Sequence, residues 1–516
     1  MENEVLRMQN ITKIYSNGFV ANKDVTFGVE KGEIHALVGE NGAGKTTLMK
    51  ILFGMERNEE GSILINGEEI HITSPLDSIA KGVGMVHQHF MLVPSLTVAE
   101  NVVLGVEPMS GGLFDFDEAV KETQRIADKY NFDVDAKLPV RDLSVGQMQK
   151  VEILKALIKG AKILIMDEPT AVLTPQETRE LFEQLQILKE DGHSIIFISH
   201  KLEEVMEICD RVTVLRHGRC LGTYDIKDMT ETKISRLMVG RDVVLKMDKP
   251  QHDRGEVVLE LDKVVKINSI GKRVLNGLSL QVRKGEIVGI AGVEGNGQSE
   301  LASAICGLDA HSAGLIKIND VDIAGKPIKD IRELGLAVIS EDRMVDGVAA
   351  DRSIRENIIS DRFDKPEFKK GIFMNNKYIN QVVDECIQEF EIACDDRDQP
   401  VRMLSGGNIQ KVVVAREFTS GRNVVLACQP TRGIDVGTAE MIRKYIIKMT
   451  REKNAAVLLI SADLNEVLEC SDRLLVMRAG KIVGAFNSAK DVTEDTLGEY
   501  MLGIRTMSDE ELEAAL

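Results

Sequence analysis

Short apolar runs alternate along this chain with amphipathic stretches of helical period. The runs at 34–38, 163–166 and 195–198 are four or five residues long, and each is followed by a polar loop. A stretch such as 176–189 then repeats its apolar positions at helical spacing. Continuous apolar runs of that length suit strands covered on both faces, and their alternation with helices predicts an α/β fold built on a parallel sheet. Loops at the strand C-termini are then the expected place for chemistry. Residues 101–160 are richer in helical periodicity and predict an inserted helical subdomain. The longest apolar runs, such as 455–460, are strand-sized and far short of the ~18–20 residues needed to cross a bilayer.

The pattern is written twice. KGEIHALVG at 31–39 matches KGEIVGIAG at 284–292, and GSILINGEEI at 61–70 matches GLIKINDVDI at 314–323. At the same offset Gln88 faces Glu341. LSVGQMQKVEILKAL and LSGGNIQKVVVAREF repeat at a slightly longer one. Residues 241–256, RDVVLKMDKPQHDRGE, are charged and lack periodicity, so they read as a linker. The expected organisation is a first domain over 1–240, the linker, a second domain over 257–504 and an acidic tail over 505–516. A capping box from Ser508 to Glu511 predicts a short helix in the tail.

Composition narrows the chemistry. The 516 residues carry 64 Lys and Arg against 82 Asp and Glu, a net charge of −18. Such a balance disfavours a nucleic-acid binder, which needs clustered cations, yet local loops can still capture phosphate. The seven cysteines are scattered without CxxC spacing, which points away from disulfides and zinc and towards a reducing compartment. The first residues, MENEVLRMQN, have neither the basic nor the apolar segment of a secretory signal.

Gly39, Glu40, Asn41, Gly42, Ala43, Gly44, Lys45, Thr46 and Thr47 fit GxxxxGK[ST] between a strand and a helix, the context of a P-loop. Glycines let successive amides wrap a phosphate, Lys45 would reach the β and γ phosphates, and Thr46 would bind Mg²⁺. The run ILIMDEP ends a strand in two carboxylates: Asp167 suits Mg²⁺, and Glu168 can polarise a water. Another strand ends in His200, which in isolation reads as a capping or surface histidine. Tyr15 could stack on adenine or simply pack. Gln88 lies between His87 and His89, too few ligands for a metal site.

The ordered set of P-loop, Gln88, LSVGQ or LSGGN, DEPT and His200 resembles the nucleotide-binding domains of ABC transporters over nearly the whole chain. The resemblance implies two tandem domains, each with a RecA-like α/β core, a β subdomain and a helical subdomain. It also implies ATP and Mg²⁺ as cofactors, with Gln88 and His200 joining Glu168 in catalysis and Gln88 joining Thr46 and Asp167 at the metal. In that family each ATP lies between the P-loop of one domain and the signature of the other.

In the second copy Gln298 stands at the place of Lys45, with Ser299 beside it. Cys428 faces Asp167, Gln429 faces Glu168, Ala462 faces His200 and Asn268 faces Tyr15. Every change removes a charge, a ligand or a stacking face, and a thiol is a poor Mg²⁺ ligand. The signatures differ the other way. The second copy keeps Ser405, Gly406 and Gly407, whereas the first has Ser144 and Gly146 with Val145 between them. Asp435 follows the second DEPT-like run, and Thr174 takes its place in the first. Crossed as the family implies, the intact parts fall on one composite site and the eroded parts on the other.

Tandem domains with this asymmetry resemble the ATPase subunit of bacterial importers for simple sugars and nucleosides, and GVEGNGQSE with CQPTRGID sits closest to the nucleoside branch. That likeness implies two transmembrane permease subunits, an extracytoplasmic solute-binding protein acting indirectly, and a peripheral place on the cytoplasmic side of the membrane. Ribose or galactose import is the alternative. A soluble ribosome-associated tandem ATPase fits less well, because the linker is short and the second carboxylate pair absent.

Overall fold

The computed structural model describes residues 3–515 except 17, 88, 89, 200, 241–248, 251, 269, 270, 294 and 491. The chain divides into two compact units, Met1–Val243 and Val244–Leu516.

The front unit is built on a six-stranded sheet. Its order is Arg219–Asp225, Arg211–Arg216, Ile34–Gly39, Ser194–Ile198, Ile163–Asp167 and Val83–Val86. Every residue of Ile34–Gly39, Ile163–Asp167 and Ser194–Ile198 is buried, so these strands are covered on both faces. Their pairings are parallel, as the apolar runs predict. The edge strand Arg219–Asp225 departs from that reading: it pairs antiparallel and alternates exposed with half-buried residues. A separate four-stranded antiparallel sheet runs in the order Val20–Glu30, Glu4–Ile14, Glu60–Ile65 and Glu68–Ile70. Leu6, Met8 and Phe27 from this sheet share one core with Leu37, Leu48 and Ile165. Burying each such side chain contributes about 1.5–3 kcal/mol, and that fixes the P-loop strand against the β layer.

The helical insert holds Val98–Val103, Phe116–Lys129 and Val145–Ile158. Reciprocal capping boxes, Thr97 with Glu100 and Ser144 with Gln147, satisfy the first amides of two of these helices.

The rear unit repeats the plan. Its large sheet has the order Leu336–Ile339, Val424–Cys428, Ala456–Ile460, Ile287–Ala291, Arg473–Arg478 and Lys481–Phe486. Beside it lies an antiparallel sheet of Arg273–Arg283, Val257–Ile267, Ala313–Ile318 and Val321–Asp322. The helical insert repeats as Ile354–Ile359, Asn376–Glu389 and Gly406–Phe418.

Of the expected linker, 241–248 and 251 lie outside the described residues. The rest packs on the rear unit. Arg451 Nε donates to the Pro250 carbonyl at 2.9 Å, and Arg254 donates to the Asn487 carbonyl at 3.0 Å. The tail forms the helix Asp509–Ala515, with Ser508 and Glu511 bonded reciprocally, and Leu512 and Ala515 rest on the rear core. Among the described residues no helix is long and apolar enough to cross a membrane.

Candidate active site

The strand Ile34–Gly39 ends in the Gly-rich loop, and the helix Lys45–Leu52 starts directly after it. Gly39 and Gly44 are dictated by space. A Cβ on Gly39 would stand 2.3 Å from the Leu215 carbonyl oxygen, and one on Gly44 would stand 2.4 Å from that of Ala21. Gly44 also adopts φ 96°, where L side chains are strained. The free amides of the helix N-terminus therefore open onto the loop, a ready place for an anion. Lys45 is buried, and its Nζ donates to the carbonyls of Gly39 at 2.7 Å and Glu40 at 3.1 Å. Burial pulls its pKa down, while Glu168, Asp167 and Glu40 act in the opposite direction. The Tyr15 hydroxyl lies 3.3 Å from Thr47 Oγ1, so that half-buried ring stands at the edge of the loop. Thr46 is exposed beside it.

Asp167 closes the strand Ile163–Asp167 and is buried. Its pKa is pushed up to about 6, first by burial and then by the neighbouring Glu168 carboxylate, with Lys45 opposing. A buried oxygen donor whose charge is so poorly compensated fits a hard divalent cation. Glu168 adopts φ 50°, and its amide donates to the Ile198 carbonyl at 2.9 Å, which locks the left-handed turn.

Sequence reasoning overlooked Glu204. Its buried Oε2 accepts from Thr170 Oγ1 at 2.6 Å and from Ser199 Oγ at 3.0 Å. One carboxylate thus ties the turn that follows Glu168 to the residue that precedes His200. Its only trace in the sequence is a Glu one helical turn beyond His200. Gln88 and His200 themselves lie outside the described residues.

Both signature segments cap helices. Ser144 Oγ accepts from the Gln147 amide at 3.2 Å, and Val145 and Gly146 follow at the start of Val145–Ile158. Ser405 Oγ accepts from Asn408 Nδ2 at 2.9 Å, with Gly406 and Gly407 opening the helix Gly406–Phe418. Ser405 is exposed. Asp435 caps the helix Val436–Lys453 and lies against the signature, since a Cβ on Gly407 would be 2.8 Å from Asp435 Oδ2.

At the rear P-loop Gln298 takes the place of Lys45. Its Nε2 donates to the Val293 carbonyl at 3.1 Å, and its buried Oε1 has no hydrogen-bond partner among the described residues. Ser299 Oγ donates to Glu341 Oε2 at 3.0 Å, and Glu341 Oε1 pairs with Arg432 at 2.7 Å. Burial raises the Cys428 thiol well above its ordinary range and keeps it neutral. Gln429 repeats the left-handed turn at φ 47°, and its Oε1 accepts from the Ala462 amide at 3.1 Å. Asn268 accepts from the Lys272 amide at 2.9 Å and closes a turn instead of presenting a ring. With its hydroxyl engaged and its carboxylate replaced by a protonated thiol, this site does not fit Mg²⁺.

The ABC transporter family profile matches residues 22–171 and 275–432. The chain belongs to the ABC transporter family. Among its ATP-binding proteins, the chain is 43% identical to the nucleoside import ATP-binding protein NupA of Lactococcus lactis subsp. cremoris (strain MG1363), over 98% of this chain and 99% of that protein. It is 44% identical to the guanosine import ATP-binding protein NupO of Bacillus subtilis (strain 168), over 97% of each. The glucose import ATP-binding protein TsgD13 of Haloferax volcanii is 41% identical over 96% of each. Among solved structures, the archaeal ribosome recycling factor aABCE1, in complex with the stalk protein aP1, covers 92% of this chain and 90% of its own at a TM-score of 0.60. Its identity of 18% shows the fold alone.

As an ABC transporter ATP-binding protein, the chain carries two tandem copies of the family's P-loop domain. The parallel sheet and its P-loop follow the apolar runs. The antiparallel sheets, absent from those runs, follow the family.

Proposed function

We propose that this chain is the ATP-hydrolysing subunit of an ABC importer and that its solute is a nucleoside. One hydrolytic site would form from the front P-loop and the rear signature, while the rear P-loop with Ser144 and Gly146 forms a degenerate one. The observation that carries this reading is the sorting of intact parts. Lys45, Asp167 and Glu168 are paired by the family's geometry with Ser405, Gly406, Gly407 and Asp435, while Gln298, Cys428 and Gln429 fall to the Val145 signature. Unsorted decay would scatter these losses.

Mg²⁺ would be held by Thr46, Asp167 and Gln88, and would neutralise charge on the β and γ phosphates. Glu168 orients a water for in-line attack on the γ-phosphate and takes its proton. Lys45, His200 and the amides near Ser405 stabilise the charge that spreads over the equatorial oxygens. Tyr15 offers its ring to adenine. Glu204 holds the turn after Glu168 and Ser199 in one register.

Coupling to two permease subunits would run beside Gln88 and Glu341. In the front unit a cleft is lined by Phe53, Met85, His87, Met91 and Lys155, and Met91 is 59% exposed. That surface supports docking of a permease helix on the cytoplasmic side, with a solute-binding protein acting from outside.

Relatives named for glucose, ribose and xylose import, at 38–41% identity, make simple-sugar import the second reading. ATPase stimulation in a reconstituted complex separates the two. Nucleosides raise turnover on the first reading, and ribose or galactose on the second.

A further inference from the structure

The loop over 430–435 is tied to the rear signature by two side chains. Arg343 is half-buried, and its Nη1 donates to the Arg432 carbonyl at 2.7 Å and its Nη2 to the Gly433 carbonyl at 3.1 Å. The same Nη2 lies against the signature, since a Cβ on Gly406 would stand 2.9 Å from it. Arg432 is thus gripped at both ends, its carbonyl by Arg343 and its guanidinium by Glu341 Oε1 at 2.7 Å. Asp342 accepts from the amides of Met344 at 2.9 Å and Val345 at 3.1 Å, and so fixes the turn that carries Arg343. The second tie comes from the signature helix itself, where buried Gln410 donates through Nε2 to the Pro430 carbonyl at 2.8 Å. The front unit repeats neither. Its stretch from Gln88 to Asn101 contains no arginine. The buried Nε2 of Gln149, which matches Gln410 in the repeat, has no hydrogen-bond partner among the described residues.

We propose that Arg343, seconded by Gln410, is a positioning residue for ATP hydrolysis. It acts through the backbone: it holds the 430–435 loop, and with it Asp435, against Ser405, Gly406 and Gly407. The signature amides then keep the geometry that stabilising charge on the γ-phosphate demands, where a displacement of about 1 Å can cost on the order of 100-fold in rate. The residue type follows from the contact. Two carbonyls of adjacent residues are met by two N–H donors of one planar group, a fixed fork that a lysine ammonium does not offer. The inference rests on the crossed site proposed above, whose intact signature is the one that carries both ties.

Steady-state ATPase of the purified full chain tests this. Arg343→Met keeps the reach of the side chain and removes both donors. Its kcat falls about 10–100-fold while KM for ATP stays within about threefold, because ATP first meets the front P-loop and the signature acts later. Arg343→Lys, which keeps the charge and a single donor to one carbonyl, recovers part of the loss. Melting temperatures near wild type accompany both changes, so lost folding does not account for them. Should Arg343→Met melt early, Gln410→Leu carries the same test with the same expected split between kcat and KM. A folded variant whose kcat stays within about twofold of wild type, or whose whole loss lies in KM, overturns the inference. Gly406→Val, assayed beside them, separates the two levels. If it is as active as wild type, the crossed site fails; if it is inactive while Arg343→Met is active, only the role of Arg343 fails.

Discussion

Glu168 and Gln429 occupy the same left-handed backbone, φ 50° and 47°, each locked by its amide donating to the neighbouring strand's last residue, Ile198 or Ile460. The turn survives in the rear unit although the carboxylate does not. Such a conformation costs on the order of 1 kcal/mol and persists only where its surroundings enforce it. The turn thus belongs to the scaffold, and at this position the two units differ in one side-chain functional group.

Replacing that group in front isolates its role. Glu168→Gln keeps the size and the turn but cannot accept the water's proton. ATP hydrolysis falls at least about 100-fold with ATP binding retained. Single-turnover assays and equilibrium ATP binding on the same preparation check both halves of the expectation.

Asp167 gives a pH dependence with a defined sign. Its folded-state pKa of about 6 lies above the ordinary 3.8, so the folded chain holds this proton more tightly than the unfolded one. The stabilising contribution is full below 3.8 and disappears as pH rises through about 6. Nucleotide-free Asp167→Asn is therefore more stable than wild type at pH 8, by up to about 3 kcal/mol, and nearly equal to it at low pH. Thermal melts at the two pH values read this directly. Mg²⁺ affinity of the wild type falls by about tenfold per pH unit once pH drops below that pKa, because the metal competes with the proton.

Glu204→Ala breaks both hydroxyl bonds and loosens the turn after Glu168 relative to Ser199. Its kcat falls by about 10–100-fold with a smaller change in KM, since the loss is felt at the reacting groups. Glu204→Gln, which keeps an acceptor oxygen, recovers part of that loss. A stability change alone would leave kcat per folded molecule untouched.

Gln298→Lys restores a single part of the rear site. With Cys428, Gln429 and Ala462 still in place, steady-state ATPase stays within about twofold of wild type. A doubling in the number of hydrolytic sites would appear as a second burst equivalent in quenched-flow measurements.

Much of this was legible in the residues. Strands such as Ile163–Asp167 are buried at every position, so they appear as unbroken apolar runs whose polar ends announce the chemistry. The antiparallel strand Glu4–Ile14 was harder to read, because register shifts at Met8–Ile11 and Ile11–Lys13 break its alternation. Glu204 and the Ser299–Glu341–Arg432 network escaped notice for another reason. Their members come from separate elements and meet only when the sheet has formed. The end of the linker shows only charge in the sequence, and its packing emerges from distant partners: Arg254 is bound to Asn487 and Glu286.

The most direct test of the single crossed site is a pair of mirror-image substitutions in the two signatures, Gly406→Val and Val145→Gly, each assayed for steady-state ATP hydrolysis. The account predicts at least about a tenfold loss for Gly406→Val, which would put bulk on the face proposed to complete the front site, and a rate within about twofold of wild type for Val145→Gly. A neutral Gly406→Val, or a Val145→Gly that sets the rate, would contradict it.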